Sequence, residues 1–286
     1  CNWMMESLSA YTGKLTFPRH YEHHAVLEYP PVEKLRRTDR TGLTHMMANN
    51  ETGEIYDILS MRRNAHNALF ACDATAAVGQ IPVDFKSLGV DYLAFGAHKF
   101  GGISGIGCLI VKKDTPLISM IRGGGQEWGK RGGTESVALA CAMAAALHER
   151  TNKMLIGMKQ IALCRDLLIT NLFRFVPDTY VNGPYTPGDV ALRLPGNANL
   201  SFLGVESQAL VMALSAEGVY ASSGSACTSG EADGSYVLRA MGYPANRAVS
   251  AVRFTLPYTV TVDDVLGAVP LIVSAVENLR RLIPTP

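Results

Sequence analysis

The 286 residues carry 26 basic and 25 acidic side chains, a formal charge of +1, so no excess positive field gathers nucleic acid or an anionic membrane surface. Apolar residues make up 48% and charged residues 18%, the balance of a globular chain rather than a disordered or membrane-embedded one, with a small molecule as the default partner. Six cysteines (Cys1, Cys72, Cys108, Cys141, Cys164 and Cys227) lack CxxC spacing, which argues against a zinc knuckle or a disulfide framework and for a reducing compartment. In chain order, the first elements are short apolar runs at 43–48, 68–72, 92–95 and 108–111, separated by amphipathic or polar stretches. Runs that are apolar throughout suit parallel strands covered on both faces, hence βα units. Ligands bind beyond the carboxyl ends of such strands, so Asn49, Asn50, Asp73 and the Ala97, His98, Lys99 triplet are expected to converge.

Thr134 and Glu135 form a helix start, and the alanine-rich stretch 136–149 a long helix, with a domain boundary near residue 150. Beyond it, 152–173 has a helical pattern and 197–202 alternates as a strand with Ala198, Leu200 and Phe202 on one face. Val252, Phe254 and Leu256 share another strand face, which turns Arg253 away from the apolar layer and leaves it to face a cleft. The stretch 265–276 is interrupted by Pro270 and falls short of the ~20 residues that cross a bilayer, so it reads as a buried helix. The expected class is α/β: a large, mostly parallel-sheet domain over 1–150 and a smaller α+β domain over 151–286.

Two strand ends answer each other chemically. Asp73 closes ALFACDATAAVGQ, and His98 and Lys99 follow DYLAFGA. A carboxylate at one strand end can hold a pyridinium nitrogen protonated, while a lysine amine at the next can condense with a cofactor aldehyde. Cys227 stands apart from the other cysteines in ASSGSACTSG, a run of small residues without apolar periodicity, as in an exposed loop. Singly, each residue has a plain structural alternative: Asp73 a turn cap, Asn50 a turn residue, His23 a packed surface histidine, Arg253 half of an ion pair, Thr134 an N-cap.

Taken together and in order, EHHAVLE, ANNETG, CDATAAVGQIPVDF, AHKFGG, GGGQEWGKRGGTES and SSGSACTSG resemble the cysteine desulfurases of the class V aminotransferase family, over about residues 22–261. The resemblance implies the aspartate aminotransferase-like fold of the pyridoxal-phosphate-dependent transferases (fold type I), with pyridoxal 5'-phosphate as cofactor. It implies that His23 stacks on the pyridine ring and moves protons, that Asn50 bonds the ring hydroxyl, and that Asp73 pairs with the ring nitrogen. His98 and Thr134 would contact the phosphate, Thr134 that of the opposite subunit, which implies a homodimer. Lys99 would carry the cofactor and then move the substrate proton; Arg253 would pair with the carboxylate of L-cysteine. Cys227 would take the sulfur as a persulfide, releasing alanine, and pass it to an acceptor such as an iron-sulfur scaffold protein. The compartment implied is the cytoplasm, or a mitochondrion or other organelle in a eukaryote. The lines EWGK and TLPY depart from the pattern, with Trp128 and Pro257-Tyr258 at usual Arg and Gly-Arg positions. Ala76 replaces a usual glutamine near the ring oxygen and Gly96 a usual phosphate-binding serine. Matched to the family, CNWMMESL begins just past its Gly-Ala-Thr phosphate loop, and the stretch 30–42 is short. Two rival readings follow from these features: a selenocysteine lyase or other cofactor-dependent lyase, and a non-catalytic relative acting as a binding partner.

Overall fold

A computed structural model describes residues 1–16, 20–29, 40–224 and 234–282. Two compact units make up the chain, one formed by Cys1–Ala48 with Tyr56–Met154 and the other by Asn49–Ile55 with Leu155–Pro286.

In the first unit, α1 (Asn2–Tyr11) buries Met4, Met5 and Leu8, the i, i+1, i+4 set of one helical face, and Thr12 Oγ1 bonds back to the Leu8 carbonyl at 2.7 Å. After β1 (Lys14–Thr16) and the single turn α2 (His24–Leu27) come β2 (Thr41–Met46), α3 (Ile58–Asn64), β3 (Leu69–Asp73), α4 (Phe85–Leu88), β4 (Tyr92–Gly96) and β5 (Gly107–Val111). The sheet order is β1-β2-β3-β4-β5, parallel through β4. Leu15, Leu69, Ala71, Tyr92 and Ala94 pack with the α1 methionines in its core. β5 pairs antiparallel with β4, against the expectation of four parallel runs. The reason is reach: a parallel return needs a crossover of about a dozen residues or more, usually with a helix, and residues 97–106 hold only a 3₁₀ turn, Ala97–Lys99. The turn α5 (Gln126–Gly129) precedes α6 (Val137–Asn152), none of whose residues is buried in the single chain. Its N-cap is Ser136 rather than Thr134, and Cys141 on it is exposed.

The second unit takes α7 (Met154–Phe175) from Leu155 onward, then β6 (Thr179–Val181), β7 (Asn197–Phe202), α8 (Ser207–Ala216), β8 (Ser222–Ser223), α9 (Tyr236–Ala240), α10 (Ala245–Val249), β9 (Ala251–Thr255) and α11 (Val262–Leu282). Its sheet runs β6-β7-β9-β8, antiparallel throughout. Ala198, Leu200, Phe202, Val252 and Phe254 form one core with Ile161, Leu168, Ile169 and Leu172 of α7 and Leu210 and Leu214 of α8. α11 is amphipathic rather than wholly buried: Val265, Val269, Ile272, Ala275 and Val276 face that core, while Pro270 sits on the exposed side. The polar face of β7 is buried as well, because the residue after β6 satisfies it: Asn182 Nδ2 donates to Asn199 Oδ1 and to Ser201 Oγ, both at 2.8 Å.

Candidate cofactor-binding site

In the first unit the carboxyl ends of β2, β3 and β4 lie side by side, with Met46 opposite Asp73 and Asp73 opposite Ala94. The main chain continues that alignment past the strands, since Met47 N–H donates to the Asp73 carbonyl at 2.8 Å and Ala74 N–H to the Ala94 carbonyl at 2.9 Å. Asp73 is 6% exposed. Its Oδ1 accepts from Thr75 N–H at 2.9 Å and its Oδ2 from the Cys1 thiol at 3.2 Å. Neither contact is with a cation, and the weak thiol donor leaves the Oδ2 side to a stronger donor.

His23 N-caps α2, its Nδ1 accepting from Ala25 N–H at 3.1 Å. A neutral imidazole that accepts at Nδ1 carries its proton on Nε2. Burial holds the ring below the ordinary histidine value, with Asp73 opposing and the charges of His24 and Lys99 adding to the shift. His23 is thus a neutral ring within electrostatic reach of both Asp73 and Lys99. Lys99 ends the 3₁₀ turn after β4, and His98 and Lys99 are both exposed. Thr134 is exposed too. Of the residues expected at the site, His23, Asp73, His98, Lys99 and Thr134 belong to the first unit and Asn50 and Arg253 to the second. Cys227 lies outside the described residues.

In the second unit Arg253 faces away from the apolar layer, as expected, but it does not simply look into a cleft: its Nη1 donates to the Asn50 carbonyl at 2.8 Å. The 49–55 turn is fastened around that bond. Asn49 Oδ1 accepts from Glu51 N–H at 2.8 Å and Thr52 N–H at 2.9 Å, and the Glu51 carbonyl accepts from Asn197 Nδ2 at 2.9 Å and Asn199 Nδ2 at 3.1 Å. Gly53 holds φ +75°, and a Cβ there would meet the Asn197 side chain at 2.6 Å, so both conformation and space require glycine.

Three residues escaped the sequence reading. Glu51, fully buried, accepts from Ser235 Oγ at 2.5 Å; burial raises its carboxyl, with the Ser235 bond and the Arg253 charge opposing. Glu22 is buried beside β2, accepting from Met46 N–H at 2.9 Å with His45 Nδ1 at 3.7 Å. Burial pushes Glu22 up to about 8, against the Met46 bond and with help from the Asp73 charge. Gln80 donates from Nε2 to the Lys99 carbonyl at 3.1 Å. The available signal was polar residues inside quoted motifs, EHHAVLE, ANNETG and ATAAVGQ, yet their partners lie far away in sequence. Among the described residues no group of three or more His, Cys, Asp or Glu could hold a metal ion, and no helix is long and apolar enough to cross a membrane.

Residues 6–266 match the class-V aminotransferase family. The chain belongs to that family. It is 41% identical over 244 residues to a cysteine desulfurase of Klebsiella pneumoniae, a match covering 84% of this chain and 59% of that protein. It is 35% identical over 298 residues to the cysteine desulfurase IscS of Dictyoglomus turgidum, covering 95% of this chain and 74% of that one. The solved structure of a NifS-like protein superposes with a TM-score of 0.83 at 27% identity, covering 97% of this chain and 80% of that one. The class-V chain thus has the fold of the pyridoxal-phosphate-dependent transferases, and it spans about three fifths of the length of the Klebsiella relative.

Proposed function

We propose that this class-V protein is a cysteine desulfurase that binds pyridoxal 5'-phosphate, removes sulfur from L-cysteine and leaves alanine. The observation that carries the reading is the trio at the strand ends of the first unit: a buried carboxylate, a neutral histidine that feels its charge, and a lysine on the following turn. This donor set fits the cofactor. Asp73 offers an anionic oxygen to a ring N–H, now met by a thiol that a stronger donor can replace, and Lys99 offers an exposed amine to an aldehyde. In the roles carried over from the family, Asn50 would hold the ring hydroxyl, and His98 and Thr134 would hold phosphate. When bound, the cofactor supplies an electron sink for the bond changes at the substrate.

The chain's own groups do the rest. Arg253 binds the carboxylate of L-cysteine through a planar two-pronged donor whose third direction is fixed by the Asn50 carbonyl. Lys99, once its amine is free, takes the proton from the substrate α-carbon. His23, with its proton on Nε2, can donate a hydrogen bond from that nitrogen while Nδ1 is held by Ala25 N–H. The Cys227 thiolate attacks the substrate sulfur, forming an S–S bond as the C–S bond breaks, so sulfur stays on Cys227 as a persulfide while the carbon skeleton gains a proton and leaves as alanine. A sulfur-acceptor protein such as an iron-sulfur scaffold then takes the terminal sulfur.

A homodimer is part of the proposal. It is supported by α6 without a buried residue and by exposed Ile103, Met120, Ile121 and Val137 in the same unit, together with an exposed Thr134. Unpaired thiols at Cys1, Cys72, Cys108, Cys141 and Cys164 suit a reducing compartment, the cytoplasm or an organelle interior. The test is to supply pyridoxal phosphate and L-cysteine and to assay alanine and persulfide. Equimolar alanine and a trappable persulfide on Cys227, absent in Cys227→Ser, support the reading. Alanine formed undiminished by Cys227→Ser indicates a lyase without a persulfide step, and a folded protein with no cofactor absorbance indicates a non-catalytic relative.

A further inference from the structure

Lys99 is exposed and ends a three-residue turn, so something besides burial has to hold its main chain in place if the amine is to meet an aldehyde repeatedly in one geometry. Two features do so. Gly79, at φ +76°, lies so close to Phe100 that a Cβ there would stand 2.3 Å from the Phe100 Cβ, which presses the 79–80 bend against the residue after the lysine. Beside it runs a chain of hydrogen bonds. Arg150, near the end of α6, donates from Nε to the Gly79 carbonyl at 3.0 Å and from Nη2 to Gln80 Oε1 at 3.1 Å, and Gln80 Nε2 donates to the Lys99 carbonyl at 3.1 Å.

The direction of this chain is fixed by chemistry. A guanidinium only donates and a carbonyl only accepts, so the Gln80 amide has one orientation, oxygen to Arg150 and nitrogen to Lys99. A positive charge on the oxygen side polarises the amide and strengthens the N–H that reaches Lys99. We propose that Gln80, oriented by Arg150, is a positioning residue for Lys99, acting as a strap from α6 across the 79–80 bend to the lysine turn. The inference rests on the reading of Lys99 as the cofactor-bearing residue. Because the Gln80 to Lys99 bond is solvent-exposed, the strap adds little to overall stability; its effect falls on the geometry of one turn.

Gln80→Glu separates positioning from simple docking of α6. Glutamate keeps an acceptor for Arg150, and the pair gains charge, but it has no donor for the Lys99 carbonyl. Gln80→Ala removes both contacts, and Arg150→Met leaves the amide without its orienting cation. In protein stripped of cofactor and then mixed with pyridoxal phosphate, borohydride quenching at timed intervals followed by peptide mass analysis gives the rate of covalent attachment at Lys99. Hydrogen exchange of the Phe100 and Gly102 amides, both bonded to the Ala97 carbonyl, reads the turn without cofactor. The strap predicts attachment slowed about fivefold in Gln80→Glu and Gln80→Ala alike, the worth of one lost hydrogen bond, less slowing in Arg150→Met, and faster exchange of both amides in Gln80→Glu. Gln80→Glu behaving as wild type in both measurements, whether or not Gln80→Ala is impaired, overturns it. Wild-type protein that gains no adduct at Lys99 sinks the lysine reading, and the exchange data then judge the strap alone.

Discussion

The two regions that bear the proposed site residues are assembled in different ways. In the first unit the main chain does the placing: Asp73 and the Lys99 turn stand where neighbouring parallel strands end, and ladder bonds extend past those ends through Met47 and Ala74. In the second unit side chains do it: Asn50 is placed because Arg253, Asn197 and Asn199, some 150 to 200 residues further along, donate to the carbonyls of its turn. A site residue on a strand end can therefore be replaced without moving the fold, whereas one on the amide-fastened turn depends on bonds that a single substitution removes.

The largest expected effect separates chemistry from structure in the first unit. Asp73→Asn should weaken pyridoxal phosphate binding by about 10- to 100-fold, the loss of one charge-assisted hydrogen bond, while the melting temperature of the cofactor-free protein stays nearly unchanged; equal affinity in a titration followed by absorbance would contradict the role of Asp73. In the second unit the order reverses. Asn199→Ala deletes one of the two donors to the Glu51 carbonyl and one of the two acceptors of Asn182 Nδ2, leaving one buried N–H unpaired at a cost of about 1–3 kcal/mol. Chemical denaturation should show that loss with the melting of cofactor-free protein lowered, and an unchanged midpoint would mean that the turn is held by something else.

A pH-dependent effect belongs to Glu22. Its carboxyl is raised from 4.5 in the unfolded chain to about 8 in the folded one, so the folded state retains a proton that the unfolded state releases. Stability from this group is complete below the unfolded value and declines as pH rises through the folded value, at a rate of up to about 1.4 kcal/mol per pH unit between them. Glu22→Gln should flatten the melting curve against pH between 5 and 8, leaving the variant relatively more stable at pH 9 than at pH 5. Parallel pH profiles for the two proteins would show that Glu22 is ionised throughout.

The contrast also accounts for what the sequence made legible. The apolar runs at 68–72 and 92–95 are visible because a strand covered on both faces is apolar along its length, and Asp73 and the Lys99 turn follow them directly; β2 is less plain, since it buries Thr44 and His45. Strand direction was not: the run at 108–111 looks like its predecessors, and only the short connection after Lys99 betrays the antiparallel return. Thr134 looked like a helix start because it is followed by an acidic residue, yet the helix takes Ser136 as its cap. Glu22, Glu51 and Gln80 remained silent because a buried or strapped polar residue is defined by partners that adjacency in sequence does not reveal. The same holds for Arg253, whose strand alternation gave its direction and not its bond to Asn50.

The central claim is that Lys99 bears the cofactor at the end of this parallel sheet. The most direct test is to reduce the pyridoxal phosphate-treated protein with borohydride, digest it and locate the phosphopyridoxyl group by mass spectrometry. The account predicts one dominant adduct on Lys99 that is lost in Lys99→Ala. A dominant adduct on another lysine, or none on a folded chain, would contradict it.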